Sequence, residues 1–163
     1  MKTLLVLRHA KSSWNDPTVD DHDRPLNGRG TRDAPRMGQL VHELGLAPDV
    51  IISSDAVRAR VTAAAVADAL GVADEIRLER RLYLATPSDI IAVLRSVPVS
   101  AATAMIVGHN PGLEQLAERL TGEANELPTA ALAQISLPIE RWRDLKLSTR
   151  GKLLGLWRPK ELL

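Results

Sequence analysis

The chain has 163 residues, 45% of them apolar and 25% charged, with a net charge of +1, which is enough for one domain that buries a core without staples. The absence of cysteine excludes disulfides, thiol chemistry and the softest zinc ligands. The near-neutral charge argues against a general polyanion binder.

In chain order, Thr3–Leu7 reads first as a buried strand. Its apolar run of about five residues is shorter than the roughly 7–15 of a signal-peptide core, and no stretch approaches the ~18 apolar residues of a membrane span. A cytoplasmic protein with no membrane partner is expected. The segment DDHDRP (Asp20–Pro25) reads as a polar loop that can rim a site. Helical apolar spacing follows over Arg29–Leu44, then a strand over Asp49–Ser53 and an Ala-rich helix over Val57–Leu70. Pro87–Arg95 is a further helix, Ala104–Val107 a strand, and Gly112–Leu120 another helix, with Asn110 as N-cap and Pro111 as first helical residue. Ala131–Leu137 and Leu153–Trp157 are strands again, in a hairpin-like arrangement. This alternation predicts a single α/β domain over residues 1–163, three-layer α/β/α with a mainly parallel central sheet. The basic residues near the end (Arg141, Arg143, Lys146, Arg150, Lys152, Arg158, Lys160) read as a solvated face, not a nucleic-acid surface.

In open sheets of this class, ligands bind beyond the carboxyl ends of the strands. Past Thr3–Leu7 come Arg8 and His9. Past Asp49–Ser53 come Ser54, Asp55 and, in the opening helical turn, Arg58; past Ala104–Val107 come Gly108 and His109. An arginine at the positive end of a helix dipole is tolerated best with an anion beside it. Guanidinium forks match phosphate oxygens, a neutral imidazole can attack phosphorus, and a second imidazole can hydrogen-bond the transferring group. The constellation describes a phosphoryl-transfer pocket that needs no metal.

These residues fall in three motifs, LRHAKSSWN, SDAVRARVTA and VGHNPG, and by them the chain resembles the histidine phosphatase superfamily. Ala10 stands where that family usually has Gly, and Lys11 where Glu is common. With RPLNGRG and PTAAL, the pattern is closer to the SixA-type phosphohistidine phosphatases than to the phosphoglycerate mutases whose fold they share. The resemblance implies that His9 is transiently phosphorylated, that Arg8, Arg58 and His109 complete the phosphate pocket, and that Asn15 is a further phosphate donor. It also points to a carboxylate proton donor, for which Glu79 in LERRLYLA is the candidate. A phosphohistidine substrate relaxes that requirement, because its leaving imidazole can already carry a proton. The short interval between the Arg58 helix and the His109 strand leaves no room for a helical lid. That favours a hydrolase acting on a phosphate displayed by another protein, with no cofactor. Three alternatives stand beside it: a phosphatase of small phosphorylated molecules, a non-catalytic phospho-ligand binding module, and a metal phosphohydrolase built on His22-Asp23.

Overall fold

Alternation along the first strand requires two cores. In β1 (Lys2–Arg8), Leu4 and Val6 face one side of the sheet and Leu5 and Leu7 the other, all of them fully buried. The computed structural model describes residues 1–72 and 76–162. After β1 come α1 (Gly28–Glu43), β2 (Val50–Ser53), α2 (Val57–Leu70), β3 (Ile76–Leu78), α3 (Pro87–Leu94), β4 (Thr103–Gly108), α4 (Gly112–Thr121), β5 (Leu132–Leu137) and β6 (Lys152–Trp157).

The strands form one sheet in the order β3-β2-β4-β1-β5-β6. The first four are parallel; β5 runs antiparallel to β1, and β6 to β5. The mainly parallel sheet and its antiparallel closing pair are those the sequence predicts. On one face, α1 and α2 set Met37, Val41, Ala63 and Val66 against Leu5, Leu7, Ile51 and Met105. On the other, α3 and α4 set Ile90, Leu94, Leu113 and Leu116 against Leu4, Val6, Ile52 and Ile106. The alanines of α2 serve close packing: a Cβ on Gly38 of α1 would collide with the Val66 backbone.

Two tryptophans have opposite fates. Trp142 is fully buried and donates its indole N–H to the Ala101 carbonyl at 2.7 Å, whereas Trp14 stands in solvent. Near the chain end, Arg141 pairs with Asp144 and Arg158 with Glu161, so part of the basic excess is offset locally. Among the described residues no helix is long and apolar enough to cross a membrane.

Candidate active site

Strand register builds the site. Arg8 of β1 lies opposite Gly108 of β4, so the next residue after each strand, His9 and His109, leaves the sheet beside the other. Their rings stand 5.1 Å apart, tilted by 49°.

The backbone around His9 is held from several sides. Its N–H donates to the Gly108 carbonyl at 3.1 Å, and its carbonyl accepts from Ala130 N at 2.9 Å. The next amide, Ala10 N, donates to Thr62 Oγ1 at 3.0 Å. Ala130 has a φ of +64°, so the PTAAL turn accepts a left-handed alanine where it meets the His9 carbonyl. Gly30 has a matching role at the start of α1. A Cβ there would fall inside the Lys11 carbonyl oxygen, so only glycine lets the helix close against the loop that follows His9.

The His9 ring has a defined tautomer. Nδ1 lies 2.7 Å from the Ala10 carbonyl oxygen, an acceptor only, so Nδ1 carries the proton and Nε2 keeps its lone pair. Burial pushes the His9 pKa down to about 4, helped by the positive charges of Arg58, Arg8 and Arg24, against the Ala10 hydrogen bond. At neutral pH His9 is an uncharged imidazole with a free basic nitrogen. Burial likewise pushes His109 down to about 3, with His9 and Arg58 adding to the effect. Its Nε2 lies 2.8 Å from Ser54 Oγ.

Arg8 donates one Nη to the Leu127 carbonyl at 3.1 Å. Arg58, in the first turn of α2, meets the anion its position calls for. Its Nη1 donates to the Asp21 carbonyl at 2.6 Å and its Nη2 to the Asp21 carboxylate at 3.0 Å. Among the described residues, the buried side-chain polar atoms without a hydrogen-bond partner are Arg8 Nε, Arg58 Nε and His109 Nδ1. An unpaired buried polar atom costs about 1–3 kcal/mol. That all three belong to side chains lining one cavity is what an anion-binding pocket requires. All three residues line, with His9, an open cavity of about 220 Å³ to which Lys11 and Arg24 add further positive charge.

The DDHDRP loop packs beside this cavity and places Arg24 in its lining. The Asp21 carboxylate accepts from Tyr83 Oη at 2.6 Å, from Arg58 and from Arg24 Nε at 3.1 Å. The Tyr83 hydrogen bond, with both guanidinium groups, holds its carboxyl far below the usual range. His22 lies 2.8 Å from Asp55 and stacks edge-on against Tyr83. Among the described residues no three His, Cys, Asp or Glu side chains gather as a metal site would require.

Of the sequence-derived candidates, Arg8, His9, Arg58 and His109 come together. Asn15 stands exposed outside the cavity lining, its backbone N–H donating to Ser13 Oγ at 3.1 Å. Glu79 also lies outside the lining. Arg81 at 3.0 Å and Arg77 at 3.1 Å hold its carboxylate and lower its pKa, Arg81 most. The start of α4 is shifted by one residue from the expected cap: Pro111 is the N-cap and Gly112 the first helical residue. Asn110 is drawn toward the Leu127 carbonyl, to which its Nδ2 donates at 2.8 Å, although its Oδ1 still accepts from Glu114 N at 3.3 Å. Sequence reasoning placed Ser54 past the second strand and the DDHDRP loop at a rim, but gave no role to Asp21, Arg24 or Ser54 and missed Tyr83. The only signals for them were the charge cluster of DDHDRP, the residue just past β2, and a tyrosine that is the only one in the chain.

Residues 4–83 match the profile of the histidine phosphatase superfamily (branch 1). An uncharacterised chloroplastic protein of Arabidopsis thaliana is 34% identical, over 97% of this chain and 78% of its own length. Two solved structures share the fold closely. A proposed phosphohistidine phosphatase SixA from Nakamurella multipartitia superposes with a TM-score of 0.86 at 29% identity, covering 97% of this chain and 96% of its own. Its counterpart from Agrobacterium tumefaciens gives 0.83 at 28% identity, covering 97% and 98%.

Proposed function

We propose, from the premise that the chain belongs to the histidine phosphatase superfamily, that it is a metal-independent phosphatase whose His9 carries the phosphoryl group in transit, and that its substrate is phosphohistidine on another protein. One observation carries this reading: His9 is a neutral ring with its proton fixed on Nδ1 by the Ala10 carbonyl, facing His109 across a cavity of guanidinium groups.

In the first half-reaction, His9 Nε2 attacks phosphorus and the bond from phosphorus to the substrate nitrogen breaks. The Nδ1–H stays in place and shares the positive charge that develops on the ring with the Ala10 carbonyl. Arg8 and Arg58, each with an unpaired Nε, neutralise the phosphoryl oxygens, and His109 supplies a further hydrogen bond through its unpartnered Nδ1. In the second half, water oxygen attacks phosphorus, the bond from phosphorus to Nε2 breaks with its electron pair returning to Nε2, and both water protons leave with the product as dihydrogen phosphate.

The choice of phosphohistidine over a phosphate ester rests on the acids. An alkoxide leaving group needs a proton from a general acid, for which the resemblance points to a carboxyl. Asp21 and Glu79 are both held ionised by arginines, with Tyr83 adding to the hold on Asp21. A phosphohistidine protonated on its far nitrogen departs as neutral imidazole without such a donor.

The test is turnover in EDTA of a phosphohistidine protein beside sugar phosphates and nucleoside monophosphates. Faster kcat/KM on the phosphohistidine protein, abolished in His9→Ala, is expected. Preference for the esters would move the assignment to a small-molecule phosphatase, loss of activity in EDTA to a metal enzyme, and an effect that survives His9→Ala to a binding module.

A further inference from the structure

Most large apolar side chains that the described residues leave in solvent are scattered over the fold. Apart from the N-terminal Met1, the two most exposed are Trp14 at 71% and Leu84 at 62%, and both line the cavity that holds His9 and Arg58. Trp14 reaches it from the loop after β1, Leu84 from the segment after β3, and β2 and β4 lie between those strands. At about 4.8 Å per strand, β1 and β3 are roughly 14 Å apart. The two side chains therefore come to the mouth from separate parts of the sheet edge and do not form one stray cluster.

Each has a feature that surface exposure alone does not account for. The Arg24 guanidinium lies 3.5 Å from the Trp14 ring centroid and is itself fixed by Ser12 Oγ at 2.7 Å and by Asp21. The indole is thus placed before any partner arrives, which reduces the side-chain freedom lost on docking. Leu84 has a φ of +51°, a left-handed conformation disfavoured for a bulky side chain and more easily held by asparagine or glycine. Packing does not explain a leucine kept there, because the side chain stands in solvent. Strained backbone of this kind clusters where binding requires it.

The floor and the mouth of the cavity ask for different things. Arg8, Lys11, Arg24 and Arg58 line it, and no carboxylate among the described residues does, so the floor complements a phosphoryl dianion. The mouth offers a leucine with no polar atom and an indole with a single N–H. Hydroxyl-rich phosphate esters find few partners there, whereas a protein surface with apolar side chains around the phosphorylated residue gains contact on both sides.

We propose that Trp14 and Leu84 form a docking rim that selects a phosphorylated protein over small phosphorylated molecules. The proposal deepens the phosphohistidine reading and rests on it. The test compares kcat/KM on three substrates: a phosphocarrier protein phosphorylated on histidine with phosphoramidate, free N-phosphohistidine, and adenosine monophosphate. Leu84→Asn removes the apolar group and keeps a residue that tolerates positive φ, so the fold is retained. It lowers kcat/KM on the phosphoprotein about tenfold, mostly through KM, and leaves free phosphohistidine within about twofold. Trp14→Ser acts in the same direction on the phosphoprotein. Equal losses on all three substrates, no loss on any, or a loss confined to the nucleotide would each overturn the rim. A wild-type protein that hydrolyses phosphohistidine in neither form overturns the functional reading and takes the rim with it.

Discussion

The two pocket imidazoles tie the site's chemistry to the stability of the fold. His9 and His109 are only 6% and 4% exposed, and their pKa values fall from 6.5 to about 4 and about 3. In the unfolded chain both titrate near 6.5. Below that pH the unfolded state binds more protons than the folded one, so stability falls as pH falls. Their contribution is complete above about pH 7 and is withdrawn from pH 6.5 downward. Each ring loses about 1.4 kcal/mol per pH unit, so two rings over the two units from 6.5 to 4.5 lose about 5 kcal/mol. That is a large share of the roughly 5–15 kcal/mol that holds a domain together. Urea denaturation from pH 7.5 to 4.5 measures it, with the His9→Gln/His109→Gln double variant as control. Wild-type stability drops steeply across this window, and the double variant is much flatter. Carboxylates held low in the fold, Asp21 by Tyr83, Arg58 and Arg24 and Glu79 by Arg81 and Arg77, begin their own loss only at about pH 5 and below, and they do so equally in the double variant. A wild-type profile as flat as the double variant's would show that the rings are not desolvated as described.

Arg58→Lys keeps the charge but loses the fork that grips Asp21 and phosphate, and kcat/KM falls by at least about 100-fold; a loss under tenfold would show that point charge alone suffices. Glu79→Gln changes kcat/KM on phosphohistidine by no more than about twofold, since Arg77 and Arg81 already hold that carboxylate; a larger loss would restore Glu79 as the proton donor. Gly30→Ala forces a Cβ into the Lys11 carbonyl and destabilises the protein by about 1–3 kcal/mol in urea; unchanged stability would mean that the loop after His9 is not packed as closely as the structure places it.

Sheet and helices were legible because their signals are local. Leu4 to Leu7 announce a buried strand, and the Ala-rich run from Val57 declares a helix that packs closely. The placement of Arg8, His9, Arg58 and His109 followed from one rule, that strand ends of a parallel sheet share an edge. The DDHDRP loop was harder. In sequence its acids and its arginine look like solvated charge, and only folding brings Asp21 under Arg58 and Tyr83, which are 37 and 62 residues away. Glu79 shows the converse: a carboxylate in the right interval whose neighbours in sequence, Arg77 and Arg81, hold it for themselves. Those flanking arginines are the local mark of a paired acid.

The proposed chemistry is tested most directly at the nitrogen that receives phosphorus. Rapid acid-free quenching of the protein with a phosphorus-labelled phosphohistidine substrate, followed by peptide mapping and phosphorus NMR, locates that bond. An acid-labile, alkali-stable phosphoryl group on Nε2 of His9, absent from His9→Ala, is the predicted result. Label on Nδ1, on His109, or retained in His9→Ala contradicts it.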